Sequence, residues 1–277
     1  MTTAARPRLT RRALIGGALA LAAGPAIAAP ASKLLDARWK KTGAGGDPDA
    51  GPWAKFLTAY RKMGGDGVAR VDYAAAKADG ADAALSAWVR DMQAVDPTTL
   101  SPAAAQAYWI NLYNAATIEL VLAAYPVRTI LKIDGGLFNT GPWDEKRLKV
   151  NGAEMSLDDV EHGVLRPVWG DPRVHYAVNC ASIGCPNLAA TPWSSATLET
   201  QFEAGAAEYV NHPRGARVDG GQLIISKIYD WFEEDFGGST DGVIAHLRNY
   251  AAGETAKRLA KVSRISNFEY DWDLNDA

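Results

Sequence analysis

Cysteine is nearly absent: the chain holds only Cys180 and Cys185. One pair five residues apart could staple a single short loop, worth about 2 kcal/mol in the chain-entropy picture. It could not frame a fold, so a disulfide scaffold is excluded and a packed core must hold the domain. Beyond the amino end the sequence has no long apolar run, which leaves no membrane-crossing helix to expect there. Basic clusters are missing too. After residue 28 there are 25 basic and 32 acidic residues, a net charge of −7. That balance argues against nucleic acid or an anionic membrane as partner. No internal repeat and no low-complexity linker follows Pro52, and no cofactor motif stands out. Gly220-Gly221 reads as a turn and not as a phosphate cradle. Ser182 and Ser226 lack the context of a nucleophile elbow.

What is present begins with an export signal. Arg6, Arg8, Arg11 and Arg12 come first with no acid among them, and Ala13 to Ala23 is almost wholly small and apolar. That run is too short to span a bilayer. Ala26-Ile27-Ala28 offers small residues for a signal peptidase, so cleavage is expected after Ala28. Arg11-Arg12 directly before the apolar run resembles the twin-arginine signal, which exports folded proteins. The expectation is therefore a periplasmic or secreted protein with no membrane contact after cleavage. Residues 29–52 read as a flexible segment, with a Gly/Pro/Asp loop from Thr42 to Pro52. Residues 53–277 read as one globular domain.

Hydrophobic spacing predicts helices over Trp53–Met63, Ala81–Val95 and Leu198–Tyr209, a short one over Tyr229–Phe236, and another from Gly242 to Tyr250. Ser101-Pro102 predicts a capped helix start, and Pro126 a stop near Tyr125. Between Ala107 and Ala124 this helix is apolar nearly all round, so it should be buried on every side. Ser156 with Asp159 reads as a capping box opening another helix. Val68–Tyr73, Arg173–Asn179, Gln222–Ser226 and Phe268–Leu274 read as strands. Without a βαβ rhythm, the class is α+β: a buried central helix packed against a mixed or antiparallel sheet, in a papain- or transglutaminase-like arrangement.

Three polar clusters fall where apolar residues are expected. Asn111 and Asn114 are neighbours on the buried helix; buried amides must find partners, so they either bind nearby loops or orient a catalytic group. Glu161 falls in the apolar stripe Leu157, Val160, Val164, Leu165, so it should point inward and need a cation such as Arg128 or Arg173, or several donors. His162 lies four residues after Asp158 and can pair with it at a half-exposed surface. The third cluster runs from His175 through Asn179 and Cys180 to Cys185. On an extended strand His175 and Cys180 would lie about 16 Å apart, which forbids a simple dyad unless the chain bends. Cys180 and Cys185 could instead form a disulfide, or bind a soft metal with His175, although a fourth ligand is missing. The aromatic run Tyr229, Trp231, Phe232, Phe236 reads as core, with a pocket wall as the lesser alternative.

Several of these segments together resemble a known family. Ala107–Ala115 (AYWINLYNA), Ser156–Gly163 (SLDDVEHG) and His175–Pro186 (HYAVNCASIGCP) are similar to the family called domain of unknown function 547. So are Ile225–Ile228 with Trp231 and Asp235-Phe236, and the closing Tyr270–Asn275 (YDWDLN), where Asp273 stands in place of an expected Ser. The family carries no established activity, and the resemblance points to the same three clusters.

From the residues, the first expectation is a thiol-dependent hydrolase or acyl-transferase acting on a small molecule or peptide. Cys180 would be the nucleophile, His175 or His162 the base, and Glu161, Asn111 or Asn114 the group that orients the imidazole. Cys185 is then a second thiol. The alternatives are a non-catalytic binding or scaffold module with a Cys180–Cys185 disulfide, and a soft-metal-binding protein. No cofactor is expected.

Overall fold

A computed structural model describes residues 30–134 and 141–277. The expected signal, residues 1–28, lies outside them. Helices and three small sheets mix in the described chain. The longest element is the helix α4, Pro102–Ala124. Ser101 Oγ accepts from the amide of Ala104, Pro102 fits the first turn, and the helix gives way to extended backbone at Tyr125, ahead of Pro126. Every side chain from Ala104 to Ile118 is buried. An apolar surface on all sides leaves no face for water, so this helix became the axis of the core.

Around α4 pack α1 (Gly51–Tyr60), α2 (Tyr73–Ala78), α3 (Ala81–Gln93) and α5 (Leu157–Val160), together with the two-stranded ribbons β1/β2 (Arg61–Met63, Ala69–Val71) and β3/β4 (Leu148–Val150, Ala153–Met155). A second apolar cluster is built by α7 (Leu198–Asn211), α8 (Ile228–Trp231), α9 (Thr240–Tyr250) and the three-stranded sheet β5-β6-β7 (Ala216–Asp219, Gln222–Ser226, Ile265–Glu269). In that sheet β5 and β6 run antiparallel and β6 and β7 parallel. The largest sheet thus packs in the second cluster, and the central helix meets helices and short ribbons instead of the expected sheet face.

Several boundaries differ from the sequence reading. The segment from Arg173 is not a strand: Pro172–Tyr176 is a 3₁₀-helix. Asp171 caps it by accepting from the amide of Arg173, and its carboxylate also holds the Arg173 guanidinium. Asp-Pro is a turn initiator, and here that local signal overrides the strand-like alternation of His175-Tyr-Ala-Val-Asn. The last strand ends at Glu269 and does not reach Leu274. Residues 30–52, expected to be flexible, are laid on the domain. The amides of Lys33 and Leu35 donate to the carbonyls of His162 and Gly163, those of Gly43 and Gly45 to Leu100 and Thr99, and Trp39 is buried edge-on to Trp109.

Ser156 opens α5 with the predicted capping box: its Oγ accepts from the amide of Asp159, whose carboxylate accepts from the amide of Ser156. The helix then widens into a π turn, Glu161–Leu165, before tightening to α6 (Arg166–Trp169). Such turns are rare and concentrate at functional sites. This one carries Glu161 and His162 at its start.

Candidate active site

Glu161, His162, His175, Cys180 and Cys185 line one cavity of about 420 Å³, together with Asp144, Asp158, Tyr113 and an aromatic wall of Trp143, Trp231, Phe232, Tyr270 and Trp272. The bend that the 3₁₀-helix introduces is what brings His175 and Cys180 to the same space. The 3₁₀-helix ends at Tyr176 and residues 177–180 are irregular, so the extended path that would give about 16 Å does not apply.

Asn111 and Asn114 do not line this cavity. Asn111 clamps the backbone of Trp193, accepting from its amide at 2.9 Å and donating to its carbonyl at 2.8 Å. Asn114 does the same for the thiol loop: its amide donates to the Ala177 carbonyl (2.9 Å) and its Oδ1 accepts from the amide of Asn179 (2.8 Å). Asn179 in turn donates to the Pro186 carbonyl and accepts from the amide of Ala181. Ala181 sits at φ 59°, a left-handed conformation that L-residues seldom adopt. The Asn114–Asn179 relay holds that strained residue next to Cys180.

Cys180 and Cys185 are not joined by a disulfide in this structure. Cys180 Sγ lies 2.7 Å from Cys185 Sγ, 2.9 Å from Tyr270 Oη and 3.2 Å from Ser182 Oγ. Burial raises the pKa of the Cys180 thiol, but hydrogen bonds from Cys185, Ser182 and Tyr270 more than offset it, and the net shift is downward. Burial and the neighbouring Cys180 push Cys185 the other way, well up. Of the pair, Cys180 is the one prepared to carry charge.

Tyr270 and Trp272 belong to the closing motif, which is far from the cysteines in sequence and was not read as part of the site. The chain brings it there by backbone pairing: the amides of Ile183 and Gly184 donate to the carbonyls of Asp273 and Asp271. Gly184 permits the approach, since a Cβ there would sit 2.8 Å from the Asp271 amide nitrogen. Asp273 is half of an exposed pair with Arg128, 3.4 Å away.

The two imidazoles have different partners. Arg166 donates from Nη1 towards His162 Nδ1 at 3.2 Å, so neutral His162 carries its proton on Nε2, which faces Asp158 Oδ1 at 3.6 Å. Burial, the largest influence, lowers the His162 basicity. His162 is buried and not half-exposed as expected. His175 donates from Nε2 to Asp235 Oδ2 at 2.7 Å and stacks on Phe232 with ring centroids 4.0 Å apart. Asp235 also receives Arg166 Nε at 2.6 Å. Burial raises the Asp235 carboxyl, but the hydrogen bonds of His175 and Arg166 prevail and hold it at about 2. His175 Nδ1 is left buried with no hydrogen-bond partner among the described residues, 3.5 Å from Glu161 Oε1.

Glu161 points inward as its spacing predicted, but its counterparts are His162, His175 and Tyr113, not an arginine. Arg128 pairs with Asp273, and Arg173 with Asp171, Glu199 and Glu203. Burial raises the Glu161 carboxyl; the two histidines and Tyr113 outweigh this and bring it to about 2. Asp158 has only the weaker pull of Lys146. Burial first, then Glu161, Asp144 and Asp159, lift it to about 7. Asp158 was marked by its spacing to His162, whereas Asp235, Arg166 and Tyr270 carried no distinguishing signal in the sequence except their place in or beside the quoted motifs. Of the aromatic run, Trp231 and Phe232 line the cavity, while Tyr229 and Phe236 are core.

Among the described residues no group of three or more His, Cys, Asp and Glu side chains is arranged to hold a metal ion. No curated protein and no solved structure matches the chain. Residues 97–210, which hold α4, the π turn and the whole cysteine loop, match the family described as "Protein of unknown function, DUF547", so over this stretch the likeness read from the motifs is shown.

Proposed function

We propose that this protein is an exported thiol-dependent hydrolase or acyl-transferase, periplasmic or secreted, acting on a small molecule or peptide. The observation that carries the reading is Cys180: a thiol held by three hydrogen-bonding neighbours in a cavity that also contains two imidazoles and three carboxylates. Cys180 attacks an acyl carbon as thiolate, and the leaving group departs with a proton from His175. Water or another acceptor then gives a proton back to His175, attacks the thioester carbon, and releases the Cys180 thiolate. His175 takes this role over His162 because its Nδ1 is unpartnered, whereas His162 Nδ1 is engaged by Arg166. Asp235 orients the ring, as the third member of such sets does. Glu161 flanks the working nitrogen. Asn114 and Asn111 act through backbone and are positioning residues. A papain- or transglutaminase-like arrangement is part of the proposal only; its support is the long buried helix α4 behind the thiol loop.

The test is alkylation of purified mature protein by iodoacetamide across a pH series, read by peptide mass. Cys180 is expected to react rapidly well below pH 8, with Cys185 inert. Two thiols that are oxidised together, or free but equally inert, would overturn the reading. A non-catalytic binding module, with the same cysteines as a disulfide, is the second reading, and the contact between the two sulfur atoms favours it.

A further inference from the structure

Acyl chemistry at Cys180 gives Cys185 nothing to do, yet its sulfur is the nearest of the three groups around the nucleophile. It stands 2.7 Å from Cys180 Sγ, against 2.9 Å for Tyr270 Oη and 3.2 Å for Ser182 Oγ. A disulfide is about 2.05 Å long, so a bond between the two sulfurs needs an approach of less than about 1 Å. The loop keeps Cys185 in this place by its backbone. The Cys180 amide donates to Cys185 Sγ at 3.0 Å, and the Cys185 amide donates to the Ser182 carbonyl at 3.1 Å. The amides of Ile183 and Gly184 tie the middle of the loop to the closing segment, and Asn114 and Asn179 hold its start. No refolding of the chain is needed to bring the thiols together. The pair is also unequal in access. Cys185 is 4% exposed, whereas Cys180 is the more open of the two. A small oxidant entering the cavity meets Cys180 first. The charges follow the same order, since the Cys180 thiol is shifted down and the Cys185 thiol well up. Peroxides oxidise thiolates selectively, and a lone thiolate goes on past the sulfenic acid to products that a thiol no longer reverses. Outside the cytoplasm, where the proposed export takes the protein, the surroundings are oxidising.

We propose that Cys180 and Cys185 are a hydroperoxide-reducing pair, in which Cys180 is the site of oxidation and Cys185 the thiol that resolves it. Cys180 gives its proton to water, and its thiolate attacks one oxygen of the hydroperoxide. The O–O bond breaks, the second oxygen takes a proton and leaves as alcohol or water, and Cys180 becomes a sulfenic acid. The hydroxyls of Tyr270 and Ser182, themselves 2.9 Å apart, stand beside the sulfur as donors to the departing oxygen. Cys185 then attacks Cys180 Sγ. The S–S bond forms, the S–O bond breaks, and the hydroxide leaves as water with the proton that Cys185 gives up. The hydroperoxide takes two electrons, one from each sulfur. A small dithiol returns both thiols by exchange and is itself oxidised to a disulfide. While the Cys180–Cys185 bond stands there is no thiolate, so acyl transfer stops; for this consequence alone the proposal rests on the hydrolase reading.

The full mature protein, reduced with dithiothreitol and then freed of it, is treated with one equivalent of hydrogen peroxide at pH 7 and read by peptide mass. In the wild type the peptide carrying both cysteines is expected to lose two hydrogens, with no oxygen gained, and to recover them on return of dithiothreitol. Cys185→Ser is expected to collect a Cys180 sulfenic acid that dimedone traps. With excess peroxide this variant should accumulate Cys180 sulfinic acid roughly tenfold faster than the wild type. If the variant does not fold, the wild-type peptide decides alone. A wild type in which Cys180 gains oxygen while Cys185 stays free overturns the pair. So does one that peroxide leaves reduced while iodoacetamide still labels Cys180, and in both cases the thiol enzyme stands. A Cys180 inert to both reagents overturns both. A disulfide that dithiothreitol cannot open in the folded protein is a structural staple and overturns the cycle.

Discussion

Replacing Asp158 by Asn should stabilise the protein, and by an amount that depends on pH. The carboxylate is partly buried, is repelled by Glu161 and Asp144, and its ion-pair neighbour is His162, whose Nε2 stands 3.6 Å away. Its pKa moves from 3.8 in the open chain to about 7 in the fold. For an acid raised in this way, the folded state binds the extra proton, so stability is fully present below about 3.8 and is lost as pH rises through about 7. Three units at about 1.4 kcal/mol each set a ceiling of about 4 kcal/mol. The side chain is 30% exposed at the cavity mouth. Water therefore relieves part of the cost, and about 1–2 kcal/mol is the expected gain at pH 8.5. For a chain of this size that is a rise in Tm of about 2–8 °C. Asn keeps the oxygen that faces His162 Nε2 and removes only the charge. Thermal unfolding of both proteins at pH 8.5, 7 and 5 provides the assay, and the difference should shrink steadily towards the acid side. A gain that is the same at every pH, or a loss at pH 8.5, would refute the argument that Asp158 is an uncompensated charge.

Two further perturbations probe the thiol loop. Asn114→Ala removes a donor to the Ala177 carbonyl and an acceptor from the Asn179 amide, both buried; urea denaturation should show a loss of about 2–4 kcal/mol. Tyr270→Phe removes the hydroxyl 2.9 Å from Cys180 Sγ; the pH midpoint for alkylation of Cys180 should move upward while the fold is kept, and an unchanged midpoint would show that Tyr270 does not stabilise the thiolate.

The legible part of this protein was the part fixed by local chemistry. α4 announced itself by Ser101-Pro102 at one end, Pro126 at the other and apolar residues all round between them. The capping box of Ser156 and Asp159 and the inward Glu161 followed from spacing alone. The misread part was His175–Cys180. An alternating run looks like a strand, yet one Asp-Pro pair upstream, with Arg173 folded back on Asp171, winds it into a 3₁₀ turn. That single local choice decides whether His175 and Cys180 share a cavity. The partners of Glu161 also differ from those expected, because Arg128 and Arg173 find acids nearer to hand on the surface, and Asp235 reaches His175 from sixty residues away. Long-range pairing leaves no periodic trace in sequence.

The same reasoning explains why the closing motif escaped notice. Tyr270 and Trp272 lie beyond the last strand, in a segment with no regular structure, and nothing in their spacing ties them to Cys180. What places them is backbone: two hydrogen bonds from the cysteine loop, and the bridge of Ser182 with Leu274. Gly184 is the residue that makes this approach possible, because its missing side chain is where the Asp271 backbone passes. The thiol, the hydroxyl that stabilises it and the indole that encloses its cavity therefore depend on one glycine contact. A site assembled by backbone proximity between distant segments can be rigid without carrying any recognisable local pattern, and this one is held from behind by Asn114 and from the front by the chain's own end.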